Sequence, residues 1–176
     1  MSRLLITGGS SFLGQHLVPQ AAACHDVLYT TFSQDPLGLP NGRSLDIRNE
    51  TAVTQLITDF APDAIIHTAG SNRGADMAAV IELGAAHVTQ AATAVGARLI
   101  HLSTDVVFSG REGAPYDETA VPTPVNAYGQ AKTIAEAIVS AHPNHVIIRT
   151  SLIYSLQQMD HGTAWMARAL QAGEPV

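Results

Sequence analysis

The sequence predicts a doubly wound α/β fold, in which one parallel sheet carries helices on both faces. Two observations indicate this class. Short apolar runs alternate with longer alanine-rich segments of helical period, which is the pattern of repeated strand–helix–strand units around a buried parallel sheet. The chain is also 46% hydrophobic over 176 residues, enough for one substantial core and too short for two ordinary domains. We therefore expect a single domain spanning residues 1–176.

The elements follow from where each apolar period begins and ends. Strands are expected at Arg3 to Thr7, Val27 to Phe32, Arg43 to Asp46, Ala64 to Thr68, Arg98 to Ser103 and His145 to Thr150. Helices are expected at Phe12 to Ala23, Glu50 to Phe60, Met77 to Val95, Asn126 to Ala141 and Thr163 to Ala172. Residues 105–125 are rich in glycine and proline, have no sustained period and follow a strand end, so we expect a long functional loop there.

Composition excludes several classes of function. The formal charge is -6 and the basic residues are scattered, so nucleic acid is not an expected partner. No apolar run approaches the roughly 20 residues of a membrane span, and no stretch has the pattern of a signal peptide. Cys24 has no second cysteine to pair with, and the eight histidines show no metal-ligand spacing. We expect a cytoplasmic protein without a metal or a membrane partner.

A glycine-rich turn joins the first strand to the first helix, in Thr7-Gly8-Gly9-Ser10-Ser11-Phe12-Leu13-Gly14. In this context the backbone N–H groups at the start of a helix can bind a pyrophosphate. Dinucleotide-binding loops would place glycines at Gly8, position 11 and Gly14, but position 11 is Ser11. The alternative is an ordinary strand-to-helix turn capped by Ser10 or Ser11.

A tyrosine and the only lysine of the chain are four residues apart, at Tyr128 and Lys132. This spacing puts the phenol and the ammonium on one helix face, about one turn apart. Because a nearby cation stabilises a phenolate, we expect Lys132 to lower the pKa of Tyr128, so that the phenol can exchange a proton with a carbonyl or an alcohol. The alternative is a surface pair with no chemical role.

Hydroxyl groups lie at the end of the fifth predicted strand, in Ser103-Thr104-Asp105. Taken alone, such residues are more often caps or turn residues than catalytic groups. This strand end faces the crevice in which open α/β sheets bind ligands. Together with Tyr128, the position favours Thr104 as a hydrogen-bond partner of a reacting oxygen.

These blocks together resemble the extended short-chain dehydrogenase/reductases, most closely the dTDP-4-dehydrorhamnose reductase-like branch. The resemblance is carried by Thr7 to Gly14, Leu45-Asp46-Ile47, His67 to Gly70, Ser103 to Gly110, Pro122 to Lys132 and Ile148 to Ser151. It implies a Rossmann fold, a nicotinamide cofactor and an oxidoreductase activity. It also implies a C-terminal substrate-binding part that these residues lack.

The resemblance assigns roles to single residues. Thr104, Tyr128 and Lys132 are the expected catalytic set: Tyr128 protonates a carbonyl oxygen as hydride arrives from the nicotinamide, Thr104 polarises that oxygen, and Lys132 holds the nicotinamide ribose. Asp105 is expected at the substrate beside Thr104. The other expected cofactor-binding residues are Gly8 and Gly14 of the turn, Ser11, Phe12 and Leu13 at the pyrophosphate, Asp46 and Ile47 at the adenine, Ala69 and Gly70 at its ribose, and Ser33 at the end of the second strand.

Ser33 bears on the choice between NAD and NADP. An acidic residue at this strand end would bond the ribose hydroxyls of NAD and repel the extra phosphate of NADP. The nearest acid is Asp35, two residues further on. NADP or NAD is therefore expected, with the balance slightly towards NADP.

Three hypotheses of function follow. The first is a reductase of a keto group on a nucleotide-linked sugar, a small-molecule substrate. The second is a sugar-nucleotide epimerase or dehydratase, which uses the same tyrosine and lysine without net consumption of the cofactor. The third is a non-catalytic NAD(P)-binding regulatory subunit, like the relatives that regulate methionine adenosyltransferase. Exposed helix faces would allow a homodimer.

Overall fold

One parallel sheet organises the computed structural model, which describes residues 1–111, 113, 115–155 and 159–175. The strands in this part of the chain are β1 (Arg3–Thr7), β2 (Asp26–Thr31), β3 (Gly42–Ser44), β4 (Ala64–His67), β5 (Arg98–Thr104) and β6 (His145–Thr150). The helices are α1 (Phe12–Ala22), α2 (Glu50–Phe60), α3 (Met77–Val95), α4 (Ala127–Ser140) and α5 (His161–Ala172), with a 3₁₀ turn at Asp105–Val107. The predicted fold class is confirmed, and every predicted boundary agrees within two residues.

The strand order is β3-β2-β1-β4-β5-β6, and every neighbouring pair is parallel. The chain moves outwards from β1 through β2 to β3, and then returns to the other side of β1 to form β4. Open α/β sheets bind ligands where the direction of winding reverses in this way, at the carboxyl ends of the strands. The topology therefore predicts a crevice at the ends of β1 and β4.

Alternate residues of the central strand enter two different cores. Leu5 of β1 belongs to the larger core, which also receives side chains of α2, α3 and α4, whereas Ile6 packs with Val18 of α1 in a smaller core on the opposite face. Full burial of each such side chain contributes about 1.5–3 kcal/mol. The helices thus cover both faces, which fixes β1 and β4 in the middle of the molecule.

Side-chain caps fix where the helices begin. At α4, the Asn126 side chain accepts a hydrogen bond from the Gly129 N–H at 2.8 Å, which satisfies one of the free donors of the first turn. A Cβ on Gly129 would collide with the carbonyl oxygen of Val106, so α4 packs closely against the 3₁₀ turn. The cap and this close approach hold Tyr128 beside the end of β5. No helix in the described ranges is long and apolar enough to cross a membrane.

Candidate active site

A cleft of about 320 Å³ lies at the carboxyl ends of β1, β2 and β4, where the winding of the sheet reverses. Its volume is at the lower end of the range of small-molecule sites, roughly 300–1,000 Å³. Six residues that the sequence predicted to bind the cofactor line it: Gly8, Ser11, Asp46, Ile47, Ala69 and Gly70. These six residues come from three separate segments of the chain, and Thr30 and Thr31 of β2 add a fourth.

The glycines of the first turn are required by the backbone. Gly8 has a φ of +78°, and a Cβ there would be 2.7 Å from the Ala69 nitrogen. A Cβ on Gly14 would collide with the carbonyl oxygen of Gly8. Both positions therefore exclude a side chain, because β1, the turn and α1 approach each other too closely for an added methyl group.

Ser11 explains the departure from the three-glycine pattern. It is the N-cap of α1 with an extended backbone (φ -67°, ψ 161°), and its Oγ accepts a hydrogen bond from the Gly14 N–H at 3.0 Å. That conformation is open to any residue, so glycine is not needed there. The cap uses the Gly14 donor, and by helix geometry Phe12 and Leu13 are the remaining donors of the first turn. Both sequence interpretations of the turn, a capped helix and an anion-binding helix start, are compatible with this geometry.

Six predicted cofactor residues lie outside the cleft lining, and two of them, Tyr128 and Lys132, lie on α4. Phe12, Leu13 and Gly14 form the first turn of α1. Ser33 lies in a neighbouring hollow of about 220 Å³, which shares Thr31 and Phe32 with the cleft.

One wall of the cleft carries an ion-pair bridge that the sequence analysis did not identify. The Arg48 guanidinium is 2.8 Å from Asp46 and 2.7 Å from Asp76, and it lies 5.6 Å from the centroid of the Phe32 ring. Hydrogen bonds from Arg48 lower the pKa of Asp46. The two-residue spacing of Asp46 and Arg48 was a visible signal, but Asp76 is 28 residues from Arg48 and only the fold brings it there.

A second group of predicted residues meets at the end of β5. The Thr104 hydroxyl donates to Asp105 at 3.1 Å and accepts from the Val106 N–H at 3.2 Å. Tyr128 is half-buried next to them. Burial and then the charge of Asp105 raise the pKa of Tyr128, while a hydrogen bond with Thr104 lowers it. Because β4 and β5 are adjacent parallel strands, this group lies at the same sheet edge as the cleft.

Lys132 does not act on Tyr128 as the sequence suggested. Its side chain is buried, and Nζ donates to the Leu102 carbonyl oxygen at 2.6 Å and lies 3.3 Å from Nε2 of His101. Burial lowers the pKa of Lys132 to about 8, against the opposing effect of Glu136. The expectation that Lys132 lowers the pKa of Tyr128 is therefore wrong: the ammonium is turned towards the sheet, and the loss of water around the phenol dominates.

Comparisons with known proteins agree with this architecture. Residues 2–176 match the family described as the RmlD substrate binding domain. The chain is 35% identical to a dTDP-4-dehydrorhamnose reductase of Sinorhizobium fredii over 161 residues, which are 87% of this chain and 51% of that protein. It is 32% identical to methionine adenosyltransferase 2 subunit beta of Xenopus laevis, over 86% of this chain and 47% of that protein.

A solved structure extends the comparison to the fold. The crystal structure of dTDP-4-dehydrorhamnose reductase from Bacillus anthracis in complex with NADP superposes with a TM-score of 0.82 at 28% identity, covering 99% of this chain and 62% of that one. The resemblance drawn from the sequence is confirmed. The chain spans about half the length of the curated relatives it matches.

Proposed function

Since this chain belongs to the RmlD substrate-binding domain family, we propose that it forms the cofactor-binding half of an NAD(P)H-dependent reductase, which acts on a keto group of a nucleotide-linked sugar. One observation carries the proposal. A cleft beside a glycine turn at the ends of β1 and β4 lies next to the Thr104, Asp105 and Tyr128 group at the end of β5. A binding site and a proton donor thus share one sheet edge.

The cleft fits the adenosine and pyrophosphate half of a dinucleotide. Its lining comes from the ends of β1, β2 and β4, from the segment after β3 and from the start of α3, and includes none of the residues of β5 or α4. The glycine turn lets a pyrophosphate approach the backbone, where the N–H groups of Phe12 and Leu13 and the positive end of α1 favour an anion. Thr104 and Tyr128, at the neighbouring end of β5, are the residues that would hold the nicotinamide half beside the substrate.

The residues at the end of β5 then act on the substrate carbonyl. When bound, the reduced nicotinamide supplies a hydride to the carbonyl carbon. Tyr128, whose pKa is raised by burial and by Asp105, carries its proton at neutral pH and donates it to the carbonyl oxygen. Thr104 holds the phenol and the oxygen in hydrogen-bonding range, and Asp105 contacts the substrate. Lys132 binds the nicotinamide ribose through the N–H that the sheet leaves free.

The hollow next to the cleft supports a preference for NADP over NAD. Asp35 accepts hydrogen bonds from the Tyr29 hydroxyl at 2.8 Å and from the Leu37 and Gly38 N–H groups, so its carboxylate is engaged by β2 and by its own turn. The hollow also contains Ser33, Arg43 and Ser44, which are groups that favour a phosphate.

The Ser33→Asp variant tests this preference. We expect it to raise the affinity for NADH relative to NADPH at least tenfold over that of wild type. Ser33→Asn, of the same shape without the charge, should leave the preference unchanged.

The cofactor assignment is tested by titration with NADPH and NADH, followed by the fluorescence of the nucleotide. We expect saturable binding that Lys132→Met weakens about tenfold. Gln130→Met, on the exposed face of the same helix, is the matched control and should bind like wild type. Failure of both nucleotides to bind would reject the proposal.

The reaction is tested on the full-length protein with a nucleotide-linked 4-keto sugar and NADPH. Tyr128→Phe should lower kcat by a factor of about 10²–10⁴, the usual contribution of a general acid, with nucleotide binding retained. Tyr154→Phe, at an exposed tyrosine, serves as the control. Product formation without net loss of NADPH would indicate an epimerase or dehydratase instead.

A non-catalytic NAD(P)-binding subunit is the second candidate. It is favoured by the likeness to methionine adenosyltransferase 2 subunit beta and by the Lys132 ammonium, which is bound to the sheet rather than to Tyr128. This candidate predicts nucleotide binding in the titration and no turnover by the full-length protein with any keto sugar tested.

A further inference from the structure

A row of polar side chains crosses the buried centre of the sheet beneath the candidate site. It consists of Thr7 on β1, His67 on β4, His101 on β5 and Lys132 on α4, which are respectively 0%, 1%, 1% and 7% exposed. The Thr7 hydroxyl is 2.7 Å from Nδ1 of His67, the two imidazole centroids are 5.2 Å apart, and Nε2 of His101 is 3.3 Å from Nζ of Lys132. The row ends at a residue of the predicted catalytic set.

Protonation determines how His101 and Lys132 interact. Burial lowers the pKa of His101 to about 2 and that of His67 to about 3, so both rings are neutral at working pH. An ammonium group has three donors and no acceptor. Nε2 of His101 must therefore accept from Lys132, and the ring proton of His101 lies on Nδ1.

Core packing alone does not explain why imidazoles occupy the positions of His67 and His101. In the described part of the chain, Nδ1 of His101 and Nε2 of His67 have no hydrogen-bond partner. Burying an unpartnered ring nitrogen costs free energy that an apolar side chain of similar shape would avoid. A polar pair at this position therefore indicates a role beyond filling the core.

We propose that His101 is a positioning residue, which accepts a hydrogen bond from the Lys132 ammonium and, with the Leu102 carbonyl, holds Nζ in one place. Two of the three N–H groups are then held by β5, and the third remains for a ligand. His67, packed on His101 and bonded to Thr7, keeps the orientation of the His101 ring. The consequence for cofactor binding rests on the proposed function, but the Lys132–His101 contact does not.

Other charged groups, Glu136 and its partner Arg149, lie near this row. Glu136, one turn after Lys132 on α4, favours the charged form of the lysine, and it is itself bonded to Ser103 of β5 and Arg149 of β6. On β4 the facing titratable group is His67, which is neutral. The hydrogen bond to His101 thus stabilises the charged form of Lys132 separately from the charge of Glu136.

The test uses the fact that Lys132 is the only lysine of the chain. Protein labelled with ¹³Cε-lysine gives a single side-chain NMR signal, and its pH titration yields the pKa of Lys132 directly. Two variants of nearly equal shape are compared: His101→Gln, which keeps an acceptor near the Nε2 position, and His101→Met, which has none. We expect His101→Gln to titrate within half a pH unit of wild type and His101→Met at least one unit lower, a tenfold change in the acid dissociation constant.

Equal pKa values in wild type and His101→Met, with both folded by circular dichroism, overturn the proposal. If His101→Met does not fold, the ¹⁵N shifts of wild-type His101, identified as the imidazole signal missing in His101→Gln, provide the decision. A proton on Nδ1 supports the proposal, and a proton on Nε2 overturns it. Fluorescence titration with NADPH distinguishes the two proposals: weaker binding only in His101→Met supports both, whereas a pKa shift in a protein that binds no nucleotide supports the positioning role and rejects the proposed function.

Discussion

At the scale of single residues, the first turn tolerates no added methyl group at Gly8. We expect Gly8→Ala to lower the free energy of unfolding by about 2–5 kcal/mol, since it combines a left-handed backbone, about 1–2 kcal/mol, with overpacking against Ala69, about 1–3 kcal/mol. Gly96→Ala is the control, because Gly96 has φ +71° but open space around its Cβ. It should lose only about 1–2 kcal/mol in urea unfolding. Equal losses would show that the close approach to Ala69 has no cost.

The buried imidazoles predict how stability depends on pH. The pKa values of His67 and His101 in the folded protein, about 3 and about 2, lie below the usual 6.5. An unfolded chain therefore binds protons that the folded one does not, and stability falls as pH drops below 6.5. Between about pH 7.5 and 5.5 we expect a loss of roughly 2–3 kcal/mol for the two residues together. Lys132, with its lowered pKa of about 8, stays mostly protonated in both states over this range and contributes little to the difference.

Urea unfolding at the two pH values measures this loss. His67→Gln should remove about half of the difference, because one of the two titrating rings is gone. His25→Gln, at an exposed histidine, should keep the full difference. A wild-type stability that is the same at both pH values would contradict the assignment of neutral, buried rings.

The sequence predicted which element carries each candidate residue better than it predicted where the side chain points. The spacing of Tyr128 and Lys132 placed both on α4, and the structure agrees. The spacing could not show that Nζ would find a carbonyl and an imidazole on β5, because those partners are about 30 residues away in the chain. For the same reason, the positions of His67 and His101 along the chain could not show that their rings would pack together.

At the scale of elements, an ion pair between a partly buried arginine and a buried carboxylate joins β6 to α4. The Glu136 carboxylate accepts from Arg149 at 2.8 Å and from the Ser103 hydroxyl at 2.5 Å, and its side chain is 6% exposed. The Arg149 guanidinium also lies 5.0 Å from the Phe108 ring centroid and donates to the Ala120 carbonyl. This pair therefore holds part of the long loop against β6 and α4.

We expect Glu136→Gln to lower the free energy of unfolding by about 2–4 kcal/mol, because the neutral amide leaves the Arg149 charge without its buried partner. Asp26→Asn, in an exposed pair with Arg3 at 3.8 Å, should change it by less than about 1 kcal/mol. The Lys132 NMR signal is a second measurement: without Glu136 the pKa of the lysine should fall. A loss as small as that of Asp26→Asn would contradict the energetic importance of the pair.

Elements themselves were predictable where local signals agree with the tertiary fold. Asn49 and Asn126 cap α2 and α4, and the glycine that ends α3 has a positive φ. The β3 strand was the least well placed, at Gly42–Ser44 against a predicted Arg43 to Asp46. It lies at the edge of the sheet beside β2 alone, so its extent depends on pairing rather than on its own apolar pattern.

At the scale of the whole molecule, the alternation of strands and helices was sufficient to predict the sheet, while the cleft depends on topology. The cleft lining comes from segments near residues 8–11, 30–32, 45–48 and 68–80. Only the reversal of winding between β1 and β4 brings these segments together. Ser11, Asp46 and Ala69 were identified through the family resemblance, whereas Arg48 and Asp76 had no signal strong enough to single them out.

Because the cleft joins the ends of three central strands, a bound nucleotide should stabilise the whole sheet. A ligand at 100 times its Kd adds about 2.7 kcal/mol, and for a chain of this size each kcal/mol raises Tm by about 2–4 °C. We therefore expect NADPH at that concentration to raise Tm by about 5–10 °C. NADH at the same concentration should give about half that shift if it binds tenfold more weakly.

Gly8→Ala is the control for this thermal shift. The altered turn should prevent nucleotide binding, so that NADPH does not raise the Tm of the folded variant. Inorganic phosphate at the same concentration should give little change, because it occupies only the helix start and bridges no strands. A shift of Tm with phosphate as large as with NADPH would mean that the ligand binds α1 alone and that the cleft between β1 and β4 is not the nucleotide site.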